Sequence, residues 1–364
     1  MGTSDERTAT TAGAETVGMI LCAGLGTRLR PLTARLPKPA VPVCGIPLVR
    51  WNLALLAGAG VRRAVVNVHH LADAMSGAAR EAARAVDVAL TVSREPIIAG
   101  TGGALREARA ALAGARTILV VNGDILFDVD LGAALAAHRA SGALATMVLT
   151  PMPPGGRYAT VEADASGAVR RIAGRFGPGG DRLRAWHFTG VHVLAPEILD
   201  ALSATPFELD VNRHVYPTWM AAGRVRAHVV EGYWNDLGTA ERYLAANADV
   251  LGGRVPHARF PGVDPLADLD VFAEPGVWIG RGAHVAAGAS LHAPVVIGGG
   301  ARVEAGATVG PEAVVGARVV VAAGATVRRG VVWDDTVLAP GEEVVEAVAA
   351  ASDRLPAGPP PVSG

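Results

Sequence analysis

Through the last third of the chain an apolar residue recurs every six positions. It stands at Ile279, Val285, Leu291, Ile297, Val303, Val309, Val315, Val321, Val327 and Trp333. Two residues before each stands Val or Ala, from Val277 and Ala283 to Ala325 and Val331. Glycine is frequent three positions after, as at Gly282, Gly288, Gly300, Gly306, Gly324 and Gly330. A fixed period over ten consecutive units signals a repeat architecture and leaves little room for chance. The pattern predicts a β-solenoid over 277–346 with three short strands per coil. One residue per strand points into a narrow interior, and small residues or Gly occupy the corners.

The preceding part follows a different rhythm. Short apolar runs at Val17–Ala23, Ala64–Val68, Val88–Val92, Thr117–Val121 and Ala143–Leu149 read as strands covered on both faces. Between them Pro47–Ala59, Leu71–Ala85, Gly102–Ala113 and Leu131–Ser141 read as helices rich in Ala, Leu and Arg. This succession predicts a doubly wound α/β domain with a mixed or parallel sheet, over 17–252. Ligands of such sheets bind at the carboxyl ends of the strands, so informative residues should follow strands. A linker is expected over 253–276, a disordered lead over 1–16 and a disordered, proline-rich tail over 347–364.

With 364 residues, half of them apolar, the chain can bury a large core in two domains. A formal net charge of -1 and the lack of a basic run argue against nucleic acid or an acidic membrane as partner. Two cysteines, Cys22 and Cys44, cannot make a disulfide framework or a zinc site, which points to a reduced cytoplasm. No apolar run of about twenty residues occurs. Of the 33 basic residues, one is lysine, Lys38. Either codon bias left it alone, or Lys38 does something that needs the compact charge of an ammonium on a flexible stem.

Directly after the first strand comes Cys22-Ala23-Gly24-Leu25-Gly26-Thr27-Arg28-Leu29-Arg30-Pro31-Leu32-Thr33, then Leu36-Pro37-Lys38-Pro39. A dinucleotide fingerprint would need glycine where Leu29 stands, and a P-loop would need Gly-Lys-Ser/Thr. What remains is a Gly-x-Gly turn whose backbone N–H groups can approach an anion, followed by Arg28 and a lysine framed by Pro37 and Pro39.

This run resembles the signature of the sugar-1-phosphate nucleotidyltransferases, also called nucleotide-sugar pyrophosphorylases, from about Met19 to Leu251. The repeats resemble the left-handed β-helix of hexapeptide-repeat proteins, which mannose-1-phosphate guanylyltransferases carry as an extension. The resemblance implies that an NTP and a sugar-1-phosphate are the substrates, with Mg²⁺ as cofactor and pyrophosphate as product. It implies catalytic roles for Arg28 and Lys38, and nucleotide binding by Ala23, Gly24, Gly26 and Thr27. Glu95 and the turn Gly100-Thr101-Gly102 would hold the base, and Asp124 of Asn122-Gly123-Asp124 would bind the metal. Asp236, in Trp234-Asn235-Asp236-Leu237-Gly238-Thr239, would be the second metal carboxylate. Glu162, Arg175, Thr189 and Gly190 would line the sugar side. Many relatives carry a lysine on the sugar phosphate; here Arg175 or Arg171 stands in its neighbourhood.

Glu95 offers only acceptors at neutral pH, which suits the adjacent N–H donors of guanine and favours GTP with mannose-1-phosphate. UTP- or dTTP-dependent transfer, as in N-acetylmuramate-1-phosphate uridylyltransferases or the glucose-1-phosphate enzymes, is the alternative. A hexapeptide acyltransferase would need a catalytic histidine, and the repeats contain only His284 and His292. A non-catalytic regulatory paralogue would be expected to have lost Lys38 or a metal aspartate, and both are present. The regular coil surface predicts a homo-oligomer.

Overall fold

The computed structural model describes residues 16–153, 155–202, 209–267, 269–271 and 274–358. The expected lead lies outside them except for Thr16, which opens the first strand. The chain groups into two compact units, and the boundaries differ from the sequence expectation. One unit comprises the chain up to Gly24 with Val49–Trp234 and Arg259–Gly262; the other comprises Leu25–Leu48, Asn235–Ala258 and Val263–Gly364. The run after the first strand and the helix after Asp236 therefore cluster with the repeats, because the solenoid offers them their packing surface.

The first unit is built on a mixed sheet. Its strands are β1 (Thr16–Leu21), β2 (Arg63–Val68), β3 (Ala89–Arg94), β4 (Thr117–Asn122), β5 (Ala145–Thr150), β6 (Thr160–Ala163), β7 (Val169–Ile172), β8 (Arg184–Leu194) and β9 (Val225–Val229). They run in the order β7-β6-β8-β4-β1-β2-β3, with β5 on β8 and β9 on β5. β4, β1, β2 and β3 are mutually parallel, whereas β8 runs antiparallel to both β4 and β5. Of the runs expected to be covered on both faces, β1, β2, β4 and β5 are so covered, with Val17, Met19, Ile20 and Ile118–Val121 almost fully buried. The run Val88–Val92 is not: β3 is the edge strand of the sheet, and Ala89 and Thr91 are exposed. Helix α1 (Leu48–Gly58) lies so close to β1 that a Cβ at Gly18 would stand 2.6 Å from Leu56 Cδ1. Helix α2 (Ala72–Ala85) turns Met75, Ala79, Ala82 and Ala83 inward. Helix α3 (Gly100–Glu107) and helix α4 (Leu131–Ser141) complete the set expected from sequence.

The second unit holds the solenoid and helix α5 (Ala240–Leu251). Parallel strands stack coil on coil into three sheets, as a left-handed β-helix of hexapeptides requires. Val277 pairs with Val295 and Val295 with Ala313, a coil length of 18 residues. The interior differs from the expectation in that two residues per strand point inward. Ala301, Ala307 and Ala325 are as fully buried as Val303, Val309 and Val327, since residues two apart share one face of a strand. The expected tail also begins later. Ala347–Ala350 pairs in parallel with the preceding coil, and Asp353–Pro356 folds back antiparallel upon it. Within the expected linker, Leu269–Val271 pairs antiparallel with Val277–Gly280.

One expectation is corrected. From Val314 onward the repeat shortens to 17 residues, with Val314 opposite Val331, Val315 opposite Val332 and Val331 in turn opposite Val348. The one-residue deletion puts Val332 rather than Trp333 in the interior, because a register shift by one turns every side chain to the other face. Trp333 points outward and donates its indole N–H to Tyr243 of α5 at 3.0 Å.

Candidate active site

In the first unit, Ala23, Gly24, Glu95 and Asp124 follow strand ends, whereas Glu162 lies within β6 and Thr189 and Gly190 lie within β8. β1 ends at Leu21, and the backbone continues through the buried Cys22 and Ala23 to exposed Gly24. β4 ends in Asn122-Gly123-Asp124, and a Cβ at Gly123 would lie 2.6 Å from Leu21 O and 2.7 Å from Cys22 Sγ. Only glycine lets this turn lie so close to β1, and the turn carries the half-buried Asp124 just past the carboxyl end of the central strand β4. Burial pushes the Cys22 thiol up, and the charge of Asp124 adds to it, so this cysteine is an inert thiol.

Glu95 is only 4 % exposed. Its Oε1 accepts from Asn67 Nδ2 at 2.8 Å and its Oε2 from Ala99 N at 3.3 Å. Gly100 follows with φ +73°, the left-handed conformation that starts α3 at Gly100-Thr101-Gly102. Thr189 is fully buried and donates its hydroxyl to Val148 O at 2.8 Å, while its carbonyl accepts Trp234 Nε1 at 2.8 Å. The pairing of β8 with β5 shifts register between Phe188 and Val191. At Gly190, with φ +89°, a Cβ would meet Asn122 Nδ2 at 2.8 Å, so the bulge rests directly on the strand end before Asp124. Glu162 is paired with Arg171, whose Nε lies 3.0 Å from Oε1. Arg175 is exposed and stands over the ring of Phe176 at 5.6 Å. Of the two arginines considered for the sugar phosphate, Arg171 is thus engaged with Glu162 and Arg175 faces solvent.

In the second unit the phosphate-handling run and Asp236 come together. Gly26 adopts φ +61° ahead of a short 3-10 turn at Thr27–Leu29, and its carbonyl accepts the Thr33 hydroxyl at 2.8 Å. A Cβ there would crowd Lys38 Cβ at 3.0 Å and Thr33 Cγ2 at 3.1 Å, so the turn is packed onto the lysine stem. Lys38 is 6 % exposed, and its ammonium donates to Asp236 O at 3.0 Å. Gly238 leaves room for Arg28: a Cβ would stand 2.9 Å from Arg28 Nη1 and 3.0 Å from Asp236 Oδ2. The Asp236 Oδ1 accepts from Arg242 Nη1 at 2.6 Å and from Gly238 N at 3.2 Å. Burial disfavours the charged carboxylate, but the Arg242 hydrogen bond and charge, the Gly238 N–H and the charge of Lys38 outweigh it. Its carboxyl is held below the usual range.

Two polar residues escaped the sequence reading. Arg242 sits in the first turn of α5, where the Thr239 hydroxyl caps the helix, and only its spacing from Asp236 could have marked it. Asn67 is the next-to-last residue of β2, and its polar side chain within the otherwise apolar run Ala64–Val68 was the available signal. Among the described residues, no three His, Cys, Asp or Glu side chains form a metal-binding group, and no helix is long and apolar enough to cross a membrane.

A mannose-1-phosphate guanyltransferase of Eremothecium gossypii is 30% identical over 234 residues, covering 63% of this chain and 63% of that protein. The chain thus spans less than two thirds of that relative's length. A mannose-1-phosphate guanylyltransferase of Mycobacterium tuberculosis is 28% identical over 76% of this chain and 79% of its own. A UTP–glucose-1-phosphate uridylyltransferase of Synechocystis is 29% identical over 72% of this chain and 68% of its own. The family described as "Nucleotidyl transferase" matches residues 17–252, well over half of the chain. On that match the chain belongs to the nucleotidyl transferase family.

Proposed function

We propose that the protein joins a nucleoside triphosphate to a sugar-1-phosphate, releasing pyrophosphate, with GTP and mannose-1-phosphate as the pair. The observation that carries this reading is the packing of the sole lysine, Lys38, against the Gly26 turn beside Arg28 and Asp236. Guanylyltransferases among the relatives support the pair. The Synechocystis uridylyltransferase supports UTP with a glucose-type sugar phosphate as the second reading.

In this reaction an oxygen of the sugar phosphate attacks the α-phosphorus in line. A P–O bond forms as the bond to the β-phosphate breaks, and pyrophosphate leaves with the electron pair. The sugar phosphate is already an anion at neutral pH, so no general base is required. Such transfers need positioning and charge neutralisation above all. The second unit supplies the Gly26 and Thr27 N–H groups for phosphate oxygens, the Arg28 guanidinium for the leaving pyrophosphate and the Lys38 ammonium for the α-phosphate. The first unit supplies Ala23 and Gly24 for the phosphates, the turn Gly100-Thr101-Gly102 for the base, and Glu162, Arg175, Thr189 and Gly190 for the sugar.

Nucleotidyltransferases of this family generally use divalent metal ions. Asp124 and Asp236 offer hard oxygen donors, and Mg²⁺ commonly takes one or two carboxylates while keeping water and substrate phosphates. Each carboxylate is the donor type such an ion takes, and the ion would neutralise phosphate charge when bound. Homo-oligomerisation through the coils and a cytoplasmic setting, consistent with two buried free thiols, complete the proposal.

Pyrophosphate release from a panel of NTPs and sugar-1-phosphates tests the reading, with Asp124→Asn as control. GTP with mannose-1-phosphate should be the fastest pair. No release with any pair, or release unaffected by the substitution, would sink the assignment.

A further inference from the structure

A buried polar relay crosses the carboxyl ends of β1, β2 and β3. Asn67 stands opposite Leu21 of β1 and Ser93 of β3 in the parallel register, and it is 3 % exposed. Its Oδ1 accepts from Cys22 N at 2.8 Å, and its Nδ2 donates to Glu95 Oε1 at 2.8 Å. The other Glu95 oxygen accepts from Ala99 N. Glu95 is itself anchored at both backbone groups: its N–H donates to Val68 O at 2.9 Å, and its carbonyl lies 2.9 Å from His69 Nδ1. The line runs Cys22 N–H, Asn67 amide, Glu95 carboxyl, Ala99 N–H.

Burying two polar side chains in the layer between strands and helices is costly unless each polar atom is matched. Here each is matched, and the geometry demands particular chemistry at each step. Position 67 must accept on one side and donate on the other, which a side-chain amide does. Position 95 must accept twice, which a carboxylate does. The two ends are the points where the chain leaves regular structure. Cys22 N begins the Cys22–Gly24 segment, and Ala99 N precedes the left-handed Gly100 that starts α3.

We propose that Asn67 is a positioning residue for the nucleotide and that Glu95 acts through it. Together they hold the phosphate-side segment Cys22–Gly24 at a fixed distance from the base-side turn Gly100–Gly102. The Glu95 carboxyl orders that turn, and the backbone of the turn meets the base. This inference rests on the nucleotidyl transfer reading, and it differs from the family resemblance, by which Glu95 would itself hold the base.

An exchange of the two functional groups separates the possibilities. Asn67→Asp places acceptor against acceptor, and Glu95→Gln places a donor against either Asn67 Nδ2 or Ala99 N–H. The double variant restores the line with the two groups exchanged. The carboxylate now at position 67 accepts from Cys22 N–H and from the amide now at position 95, and the oxygen of that amide accepts from Ala99 N–H. Equilibrium binding of GTP, UTP and dTTP to the full chain is measured without sugar phosphate, together with the melting temperature. Each single variant should bind GTP at least tenfold more weakly, and the double variant should return to within threefold of wild type in binding and recover its melting temperature. Single variants that bind like wild type would overturn the proposal. So would a double variant that melts like wild type but still binds GTP tenfold more weakly, since Glu95 would then touch the base directly. A double variant that fails to recover its melting temperature would refute the relay geometry itself. Wild-type protein that binds none of the three nucleotides would instead overturn the transferase reading.

Discussion

Replacing Gly123 by alanine tests how tightly the strand end must hold Asp124. The added methyl would stand 2.6 Å from Leu21 O and 2.7 Å from Cys22 Sγ, so the turn must retreat by about 0.8 Å to reach ordinary contact. Neither neighbour can yield easily. Leu21 O belongs to a central strand and accepts Gly123 N at 2.9 Å, and Cys22 is packed in the core. The retreat would also disturb Asn52 Nδ2, which donates to Gly123 O at 3.3 Å. Overpacking of this kind costs roughly 1–3 kcal/mol of stability. In a unit of this size that lowers the melting temperature by about 2–4 °C per kcal/mol. Displacing a positioned carboxylate by a fraction of an ångström should cost more in rate, roughly 10–100-fold in kcat/KM, since a misplacement of about 1 Å can cost 10²-fold. Steady-state pyrophosphate release, measured well below the melting transition so that all molecules are folded, reads this directly. A variant that melts several degrees lower yet keeps kcat/KM within threefold of wild type would refute the placement of Asp124 in the machinery.

Lys38→Arg keeps the charge but must fit a branched, planar head where the ammonium reaches Asp236 O and the Gly26 turn packs the stem. It should lose about 2.7–4 kcal/mol of transition-state stabilisation, by analogy with a lost oxyanion donor, and single-turnover rates with saturating substrates measure it. Stability should fall in mild acid. Burial lowers His192 to about 3, and burial aided by Arg139 lowers His138 to about 4, so both are neutral when folded but bind protons near pH 6.5 when unfolded. Their contribution is present above pH 6.5 and is lost as pH falls towards 3, by about 2 kcal/mol per histidine on reaching pH 5. Urea midpoints at pH 7 and pH 5 that coincide would contradict this. Trp333→Phe removes the hydrogen bond to Tyr243 OH and should cost about 1 kcal/mol of unfolding free energy in the solenoid unit, read from denaturant titration.

Periodicity and strand-end chemistry were legible in the sequence for clear physical reasons. A coil of three short strands needs an apolar residue at each inner position, and that need repeats along the chain whatever surrounds it. A strand covered on both faces must be apolar throughout, which is why β1 and β4 could be bounded to within two residues. The turns at Gly26 and Gly123 likewise declare themselves, since the positive φ of the first strains any side chain and the close backbone of the second leaves no room for a Cβ.

Other features depend on which residues meet across long separations, and local composition does not encode that. The deletion that exchanges Trp333 for Val332 leaves the local pattern apolar either way, and only stacking on Val315 decides which side chain enters the interior. Asp236 could be named from its motif, but its pairing with Arg242 and its carbonyl's bond to Lys38, 198 positions away, arise from folding. Glu95 shows the same division. Sequence reasoning directed its carboxyl at the nucleotide base, whereas the tertiary structure turns both oxygens to Asn67 and Ala99. Sequence by itself determined which chemical groups the chain possesses and where along each element they fall, because those follow from local sterics and burial. Tertiary structure decided what each group is bonded to, because a hydrogen bond depends on ångström-scale distances that chain order does not set.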